Sequence, residues 1–192
     1  MSFVILARHG QSVLNLTGHV NGDPSVSVAL TAQGEAEARR LGAALDGVQL
    51  DLCVHSRFER TRRTAELALG GRGVPLREEP LFDDIDVGEL EGRTLDDYRA
   101  WKAAHGRADA FPGGESLDDA ARRYATALRG LLDAPRRVLV ICHEIPLRYA
   151  LNAAAGSGSL DGPAHEIGNA VPYLFSAARL RVAAERIESL AA

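Results

Sequence analysis

Lysine is almost absent from this chain: of its 22 basic residues, only Lys102 is lysine. Because the bias toward arginine extends over the whole sequence, the number of arginines does not by itself indicate a binding site. The net charge is -4 at pH 7, and neither nucleic acid nor an anionic membrane surface favours an acidic protein. We therefore expect no nucleic-acid partner and no membrane partner.

Cysteine and long apolar stretches are scarce as well. Cys53 and Cys142 lie in apolar runs without metal-ligand spacing, so we expect small core residues; a disulfide between neighbouring strands is the alternative. No apolar stretch approaches 18 residues and no secretory signal is evident, so we expect a cytoplasmic protein. With 46% apolar residues and no linker composition, residues 1–192 are predicted to form one domain.

Two apolar runs each lead to a histidine. The run at 3–6 predicts a buried strand that delivers Arg8 and His9 at its carboxyl end, where open α/β sheets form their ligand crevice. Gly10 would allow a tight turn and the approach of a bulky ligand to the imidazole. The run at 138–142 delivers His143 in the same way. Packing alone does not account for two histidines at equivalent strand ends.

A third segment is rich in arginine and follows the short apolar strand at 50–54. On a helix beginning near Phe58, Arg60, Arg63 and Thr64 share one face, whereas Arg57 and Arg62 point elsewhere. We expect Arg60 to face the crevice. A solvated basic face is the alternative interpretation, and it suits Arg62 and Arg63 better than Arg60.

Strands alternate with helical patterns along the chain, which predicts an α/β fold with a mostly parallel sheet flanked by helices. The clearest helices are predicted at 32–45, 58–69, 117–132 and 146–154, the last opened by Pro146. Ser116 and Asp119 form a capping-box pattern for the third helix. Residues 90–114 are expected to cap the crevice and shape substrate choice. The sequence does not resolve 171–190, which combine a strand-like start with a helical tail.

The order of these segments is that of a known family. They comprise Arg-His-Gly at 8–10, Asn15, residues 30–34, Ser-Arg-Phe-Glu-Arg at 56–60 with Thr64 and Ala65, residues 84–92, Pro-Gly-Gly-Glu-Ser at 112–116, and 138–143. Together they resemble the histidine phosphatase superfamily, in its phosphoglycerate mutase-like branch. The resemblance covers nearly the whole chain and implies a three-layer α/β/α fold of that type.

The resemblance also implies the chemistry. His9 would attack the phosphorus of a small phosphomonoester and form a phosphohistidine. An imidazole with a pKa near 6.5 is mostly neutral at pH 7, so it needs no separate base. Arg8, Arg60 and His143 would meet the negative charge of the phosphoryl group, and Asn15 would add a neutral donor. No metal and no cofactor are implied.

Two residues depart from the family pattern. Asp84 stands where the family has a glutamate as general acid; its side chain is about 1.5 Å shorter, and its pKa must rise for it to be protonated at neutral pH. Asp83 and Asp86 would be bystanders, and a solvated acidic turn is the alternative. Glu144 replaces a common glycine; it would either point away from the phosphate or contact a cationic part of the substrate.

The remaining predictions concern the rim and the reaction. Gln11, His19 and Glu144 are expected at the substrate rim. The compact segment ending in Pro-Gly-Gly-Glu-Ser resembles the small phosphatases, so a hydrolase is favoured over a phosphoglycerate mutase-type phosphotransferase. A weakly active module that binds a phosphorylated ligand is a third interpretation. The oligomeric state is open, and a homodimer would be one simple arrangement.

Overall fold

A five-stranded sheet forms the centre of the protein. The computed structural model describes residues 2–133 and 136–191. The strands are β1 (Phe3–Arg8), β2 (Leu52–His55), β3 (Leu76–Glu78), β4 (Arg137–Cys142) and β5 (Tyr173–Ser176). Their order in the sheet is β3-β2-β4-β1-β5. All neighbours run parallel except β5, which is antiparallel to β1.

Helices cover both faces of the sheet, as the sequence predicts. They are α1 (Val13–Thr17), α2 (Ala32–Ala44), α3 (Glu59–Ala68), α4 (Leu95–Ala104), α5 (Leu117–Gly130), α6 (Glu144–Ala154) and α7 (Ala177–Leu190). α2 and α3 pack on one face, and α5, α6 and α7 pack on the other. No helix in the part of the chain that the structure describes is long and apolar enough to span a membrane.

The two central strands explain why the first and last motifs meet. β1 and β4 are buried on both faces, which is why their sequences are almost continuously apolar. Their parallel register pairs Arg8 with Cys142. The residues that follow, His9 and His143, therefore leave the sheet side by side at its carboxyl edge.

The predicted α/β class and three-layer architecture are confirmed, and three of the four predicted helices begin within one residue of their predicted positions. The capping box of Ser116 and Asp119 is present. α6 begins two residues earlier than predicted, because Pro146 is tolerated in the first helical turn, where its missing N–H has no intrahelical acceptor. α1, α4 and β3 were not delimited by the sequence, and residues 173–190 resolve into a short edge strand and a helix.

The two cysteines are free and buried. Cys53 pairs with Leu139 on β4, three residues before Cys142. Because side chains alternate along a strand, the two thiols face opposite sides of the sheet and pack in different halves of the core. The alternative of a disulfide between them is therefore wrong.

Gly10 packs closely against the first turn of α2. A Cβ atom on Gly10 would lie 2.3 Å from the carbonyl oxygen of Gly34, and one on Gly34 would lie 2.1 Å from the carbonyl oxygen of Gln11. Both obstacles are backbone. The first turn of α2 thus lies directly against the loop that carries His9, and this contact requires glycine at position 10. That Gly10 also lets a bulky ligand approach the imidazole stays a prediction.

Replacing Gly34 with alanine tests this contact. Alanine normally stabilises a helix by about 0.5–1 kcal/mol relative to glycine, but here its Cβ atom forces two backbone segments apart. We expect Gly34→Ala to lower the free energy of unfolding by about 1–3 kcal/mol, as measured by urea denaturation. Gly130→Ala is the matched control, because nothing lies within 4 Å of the added Cβ at that helical position. Equal stability of the two variants would contradict the packing argument.

Candidate active site

A cleft opens at the carboxyl edge of β1 and β4. It encloses about 780 Å³, including its open mouth. Arg8 and His9 reach it from the end of β1, Arg60 from the first turn of α3, and Asp84 from the loop that precedes Gly88. His143 does not line the cleft surface. It is fully buried at the end of β4, in contact with Arg60 and Asp84.

The imidazole of His9 has a defined orientation and protonation. Its Nδ1 lies 2.7 Å from the carbonyl oxygen of Gly10, to which it donates, so Nε2 carries the lone pair. Nε2 accepts a hydrogen bond from Arg60 Nε at 3.1 Å. Burial, followed by the charges of Arg60 and Arg8, holds the pKa of His9 well below 6.5. The ring is therefore more completely neutral at pH 7 than an unperturbed histidine.

Arg60 connects the residues of the site. Its side chain is only 4% exposed, and besides His9 it donates to three partners. Nη1 donates to Asn21 Oδ1, while Nη2 lies 3.1 Å from Asn21 O, 3.1 Å from Asp84 Oδ2 and 3.2 Å from His143 Nδ1. Burial lowers the Arg60 pKa, and the charge of Asp84 opposes that shift. An arginine nevertheless stays protonated in proteins, so a permanent positive charge lies between the two imidazoles.

His143 is held from behind by a serine. Its Nε2 is 2.8 Å from Ser56 Oγ, and its Nδ1 faces Arg60 Nη2 and, at 3.3 Å, Asp84 Oδ2. A neutral ring serves these two one at a time, accepting from Arg60 in one tautomer and donating to Asp84 in the other. Burial, and next the charge of Arg60, lower the pKa of His143 well below 6.5.

Asp84 lies inside the cleft, so the alternative of a solvated acidic turn is wrong. Burial raises its pKa above 3.8, against the opposing charge of Arg60. Its backbone is fixed from α5: Arg123 donates to the carbonyl oxygens of Leu81, Asp83 and Asp84. Glu115 accepts from the Asp86 amide.

The neighbouring carboxylates serve other purposes. Asp83 is buried and accepts from Arg57 through both oxygens, at 2.9 and 2.6 Å. Asp86 is exposed and accepts from the Gly88 amide. Arg57 and Asp83 therefore form a structural pair, which agrees with the prediction that Asp83 is a bystander to the chemistry.

The predicted neutral donor and rim residues divide between two environments. Asn15 lines the cleft, and its Oδ1 accepts from the Ser12 amide, which leaves its NH₂ group directed to other partners. His19 lies on the outer wall, with Nδ1 3.0 Å from Thr17 Oγ1. Gln11 is not brought to the cleft. Its side-chain Oε1 accepts a hydrogen bond from the Thr31 hydroxyl, and its backbone N–H donates to Glu37.

Glu144 does not point away from the cleft, and the other placement considered from the sequence, contact with a cationic part of the substrate, stays a prediction. Its carboxylate lines the cleft, with Oε2 2.8 Å from Arg8 Nη1. The other oxygen contacts Arg148 Nη2, one helical turn along α6. The expected repulsion of a phosphate is therefore moderated by two guanidinium groups, and Glu144 shares Arg8 with any anion that enters.

Several supporting residues were given no role from the sequence. Asn21 and Glu91 hold the outer side of Arg60, since Asn21 Nδ2 donates to Glu91 Oε1 at 2.7 Å. Thr64 accepts from the Gly10 amide at 3.0 Å, and Ser56 contacts His143. Ser56, Thr64 and Glu91 lie within the family segments quoted above, and Asn21 lies within residues 18–29, which the resemblance places at one wall of the pocket; these were the available signals.

The assembled groups suit an anion. Within residues 2–133 and 136–191, no cluster of three or more His, Cys, Asp or Glu side chains is arranged to hold a metal ion. Two guanidinium groups and a neutral imidazole instead surround the cleft floor, and α6 begins beside it, directing its first amides toward this edge. This donor set matches the three oxygens of a phosphoryl group.

Known proteins are similar to this chain in sequence and in fold. A 2,3-bisphosphoglycerate-dependent phosphoglycerate mutase of Methylobacterium radiotolerans is 34% identical over 190 residues, covering 90% of this chain and 88% of the relative. The alpha-ribazole phosphatase structure from Shigella flexneri is 25% identical with a TM-score of 0.74, covering 90% and 89% of the two chains. A phosphoglycerate mutase structure from Thermus thermophilus is 31% identical with a TM-score of 0.70, covering 90% and 91%.

The family profile covers nearly the whole chain. The family model of the histidine phosphatase superfamily, branch 1, matches residues 4–188. The motifs that define the cleft in the structure lie throughout this range, from Arg8 to His143. By sequence and by fold, the chain belongs to branch 1 of the histidine phosphatase superfamily.

Proposed function

We propose that the protein hydrolyses small organic phosphomonoesters through a phosphohistidine on His9. The observation that carries this proposal is the lone pair of His9 Nε2, which points at a buried guanidinium on the cleft floor. A nucleophile beside a permanent cation suits attack on an anionic phosphorus centre. The neutral state of the ring, favoured by burial, keeps that lone pair available at pH 7.

In the first step, the Nε2 lone pair of His9 forms a bond to phosphorus. The ester P–O bond breaks with its electron pair on the leaving oxygen, and the proton of Asp84 passes to that oxygen. Gly10 O holds the Nδ1 proton of His9, so positive charge that develops on the ring is stabilised without changing its orientation. As phosphoryl oxygens approach Nε2, Arg60 exchanges its contact with the ring for contacts with those oxygens.

Negative charge on the phosphoryl group is met from three directions. Arg8 and Arg60 supply planar donors, and Asn15 supplies its NH₂ group from α1. His143 Nδ1 becomes available to a phosphoryl oxygen when Arg60 or Asp84 turns to the ligand. The first amides of α6 add backbone donors at the same edge.

In the second step, water replaces the alcohol. The Asp84 carboxylate, now deprotonated, takes a proton from a water molecule while the oxygen of that water attacks phosphorus. The N–P bond breaks and returns its electron pair to Nε2, so inorganic phosphate leaves and His9 is restored. The raised pKa of Asp84 suits a group that alternates between acid and base.

The outer half of the cleft indicates the organic part of the substrate. Away from the phosphate-binding groups, the lining combines the apolar side chains of Leu14, Val20, Ile85, Val87, Leu95, Tyr98 and Ile145 with the polar His19 and Lys102. We therefore propose a small phosphorylated metabolite whose organic part presents apolar surface to these apolar side chains.

A mutase is the second candidate, and the phosphoglycerate mutase names of the relatives favour it. A mutase must protect its phosphohistidine from water and accept a second organic acid. The compact segment that ends in Pro-Gly-Gly-Glu-Ser at 112–116 carries a single short α-helix, α4, and no longer insertion. This compactness, which resembles the small phosphatases, is why we propose hydrolysis first.

The proposed function predicts release of inorganic phosphate from p-nitrophenyl phosphate and the trapping of an acid-labile phosphohistidine by rapid quench. His9→Ala should abolish both, with turnover falling at least about 10³-fold because no nucleophile remains. His165→Ala, at an exposed position, is the control and should match the parent protein. Interconversion of phosphoglycerates without net phosphate release would favour the mutase, and phosphate binding without turnover would favour the binding module.

The role of Asp84 predicts a dependence on the leaving group. Asp84→Asn should slow hydrolysis of alkyl phosphates by about 10²–10⁴-fold, because an alkoxide must be protonated as it leaves. Hydrolysis of p-nitrophenyl phosphate should change far less, since nitrophenolate leaves without a proton. Asp86→Asn is the matched control from the same loop. Equal losses on both substrates would show that another group is the acid.

The pKa shifts predict the shape of the pH profile. Protonation of His9 removes the nucleophile, so the acid limb of kcat/KM should lie below pH 6.5. Deprotonation of Asp84 removes the acid, so activity on alkyl phosphates should fall with rising pH through a pKa above 3.8. After correction for the second ionisation of the substrate, near pH 6, the alkaline limb should disappear in Asp84→Asn. Its persistence in that variant would contradict the assignment.

A further inference from the structure

Glu144 is the one carboxylate in the described cleft, besides Asp84, that lies against an arginine expected to bind phosphate. It is the first residue of α6, directly after His143, and 31% of its side chain is exposed. Oε2 lies 2.8 Å from Arg8 Nη1. A carboxylate and a phosphoryl oxygen seek the same kind of donor, so the two compete for this nitrogen.

The donors of Arg8 make the competition direct. Nη1 donates to Ile167 O at 3.0 Å and also contacts Glu144. Nε is buried and has no hydrogen-bond partner among the described residues. The terminal nitrogens are thus the part of the guanidinium that a ligand reaches, and Glu144 already occupies one of them.

Glu144 has a second cationic partner that remains when Arg8 is lost. Its Oε1 contacts Arg148 Nη2, and Arg148 Nη1 lies 3.6 Å from Asp161 Oδ1. Asp161 in turn contacts Arg107, which donates to Asp118 at 2.9 Å. These charges alternate in sign from the cleft into the protein. A carboxylate anchored in this way can release Arg8 without being left unpaired, so the exchange is reversible.

We propose that Glu144 is an internal competitor for Arg8 that weakens the grip of the site on phosphate and thereby speeds release of the product. The proposal rests on the proposed function, because it assigns Arg8 to the phosphoryl group. A dianion that binds Arg8 either displaces the carboxylate from Nη1 or binds the other terminal nitrogen beside the same negative charge. Either way the affinity for inorganic phosphate falls, because phosphate is held by this end of the cleft alone.

The substrate keeps a contact that this competition does not touch. A phosphomonoester also contacts the apolar side chains of the outer cleft, and that contact does not involve Arg8. Glu144 therefore weakens the contact that substrate and product share and leaves the binding of the organic part intact, so the substrate is still held while inorganic phosphate is released faster. Such a residue acts on product inhibition rather than on bond breaking.

Binding of inorganic phosphate measures the effect directly. We expect Glu144→Gln to bind phosphate about tenfold more tightly than the parent protein by isothermal titration calorimetry at low ionic strength, because the repulsive charge is removed. The inhibition constant of phosphate against p-nitrophenyl phosphate should fall by a similar factor. The gain should shrink in 1 M NaCl, where charges are screened.

Two further variants control for structural effects. Glu188→Gln removes a surface carboxylate that likewise pairs with an arginine, Arg129, and it should leave phosphate binding unchanged. Glu144→Gly also removes the carboxylate and should likewise tighten phosphate binding. It therefore takes the place of Glu144→Gln if that variant folds poorly. Thermal unfolding of each variant establishes that it is folded.

The sign of the change decides the outcome. If Glu144 instead serves to hold Arg8 in position, its removal would loosen phosphate binding, and unchanged or weaker binding overturns the proposal. Calorimetry needs no turnover, so this result is separate from the test of the proposed function. Tighter phosphate binding in a protein that releases no phosphate would support competition at Arg8 and reject hydrolysis.

Discussion

A guanidinium buried between two imidazoles is the constraint on which the site depends. Arg60 is out of water, so each of its donors needs a partner, and it finds them on four different segments of the chain. Its charge also helps to keep both rings neutral, since it adds to the effect of burial on the pKa values of His9 and His143. Arg60 therefore holds these segments together and also contributes to the low pKa of His9, the group proposed as nucleophile.

Much of this arrangement could be predicted from the sequence, because the signals are local. Continuous apolar runs identify strands buried on both faces, and the polar residue after each run marks the edge where a site forms. Helical spacing predicted one shared face for Arg60, Arg63 and Thr64; Arg60 and Thr64 are buried, whereas Arg63 lies at the edge of that face and pairs with Glu35. The resemblance to the family added the order of the segments, and with it the expectation that distant residues would meet. The fold class and the residues gathered at the cleft follow from these patterns.

The contacts between loops could not be predicted, because no spacing encodes them. Arg123 supports the backbone of Asp84 from α5, and Glu144 reaches across to the end of β1. Asn21 lies in a segment without periodicity, yet it satisfies two nitrogens of Arg60. The close approach of Gly10 and Gly34 likewise has no signal in the sequence, which shows small residues but not what lies beside them. Such contacts depend on the final packing of separate elements.

The separation of the cleft into a floor and an outer wall has a consequence for how such a protein can diversify. The floor is built from strand ends and α3, whose positions are fixed by the sheet register. Leu95, Tyr98 and Lys102 of the outer wall come from α4, a helix without fully buried residues. Replacing residues of α4 would change the substrate range and leave the groups proposed to bind the phosphoryl group in place. New specificities could then arise by local mutation without an inactive intermediate.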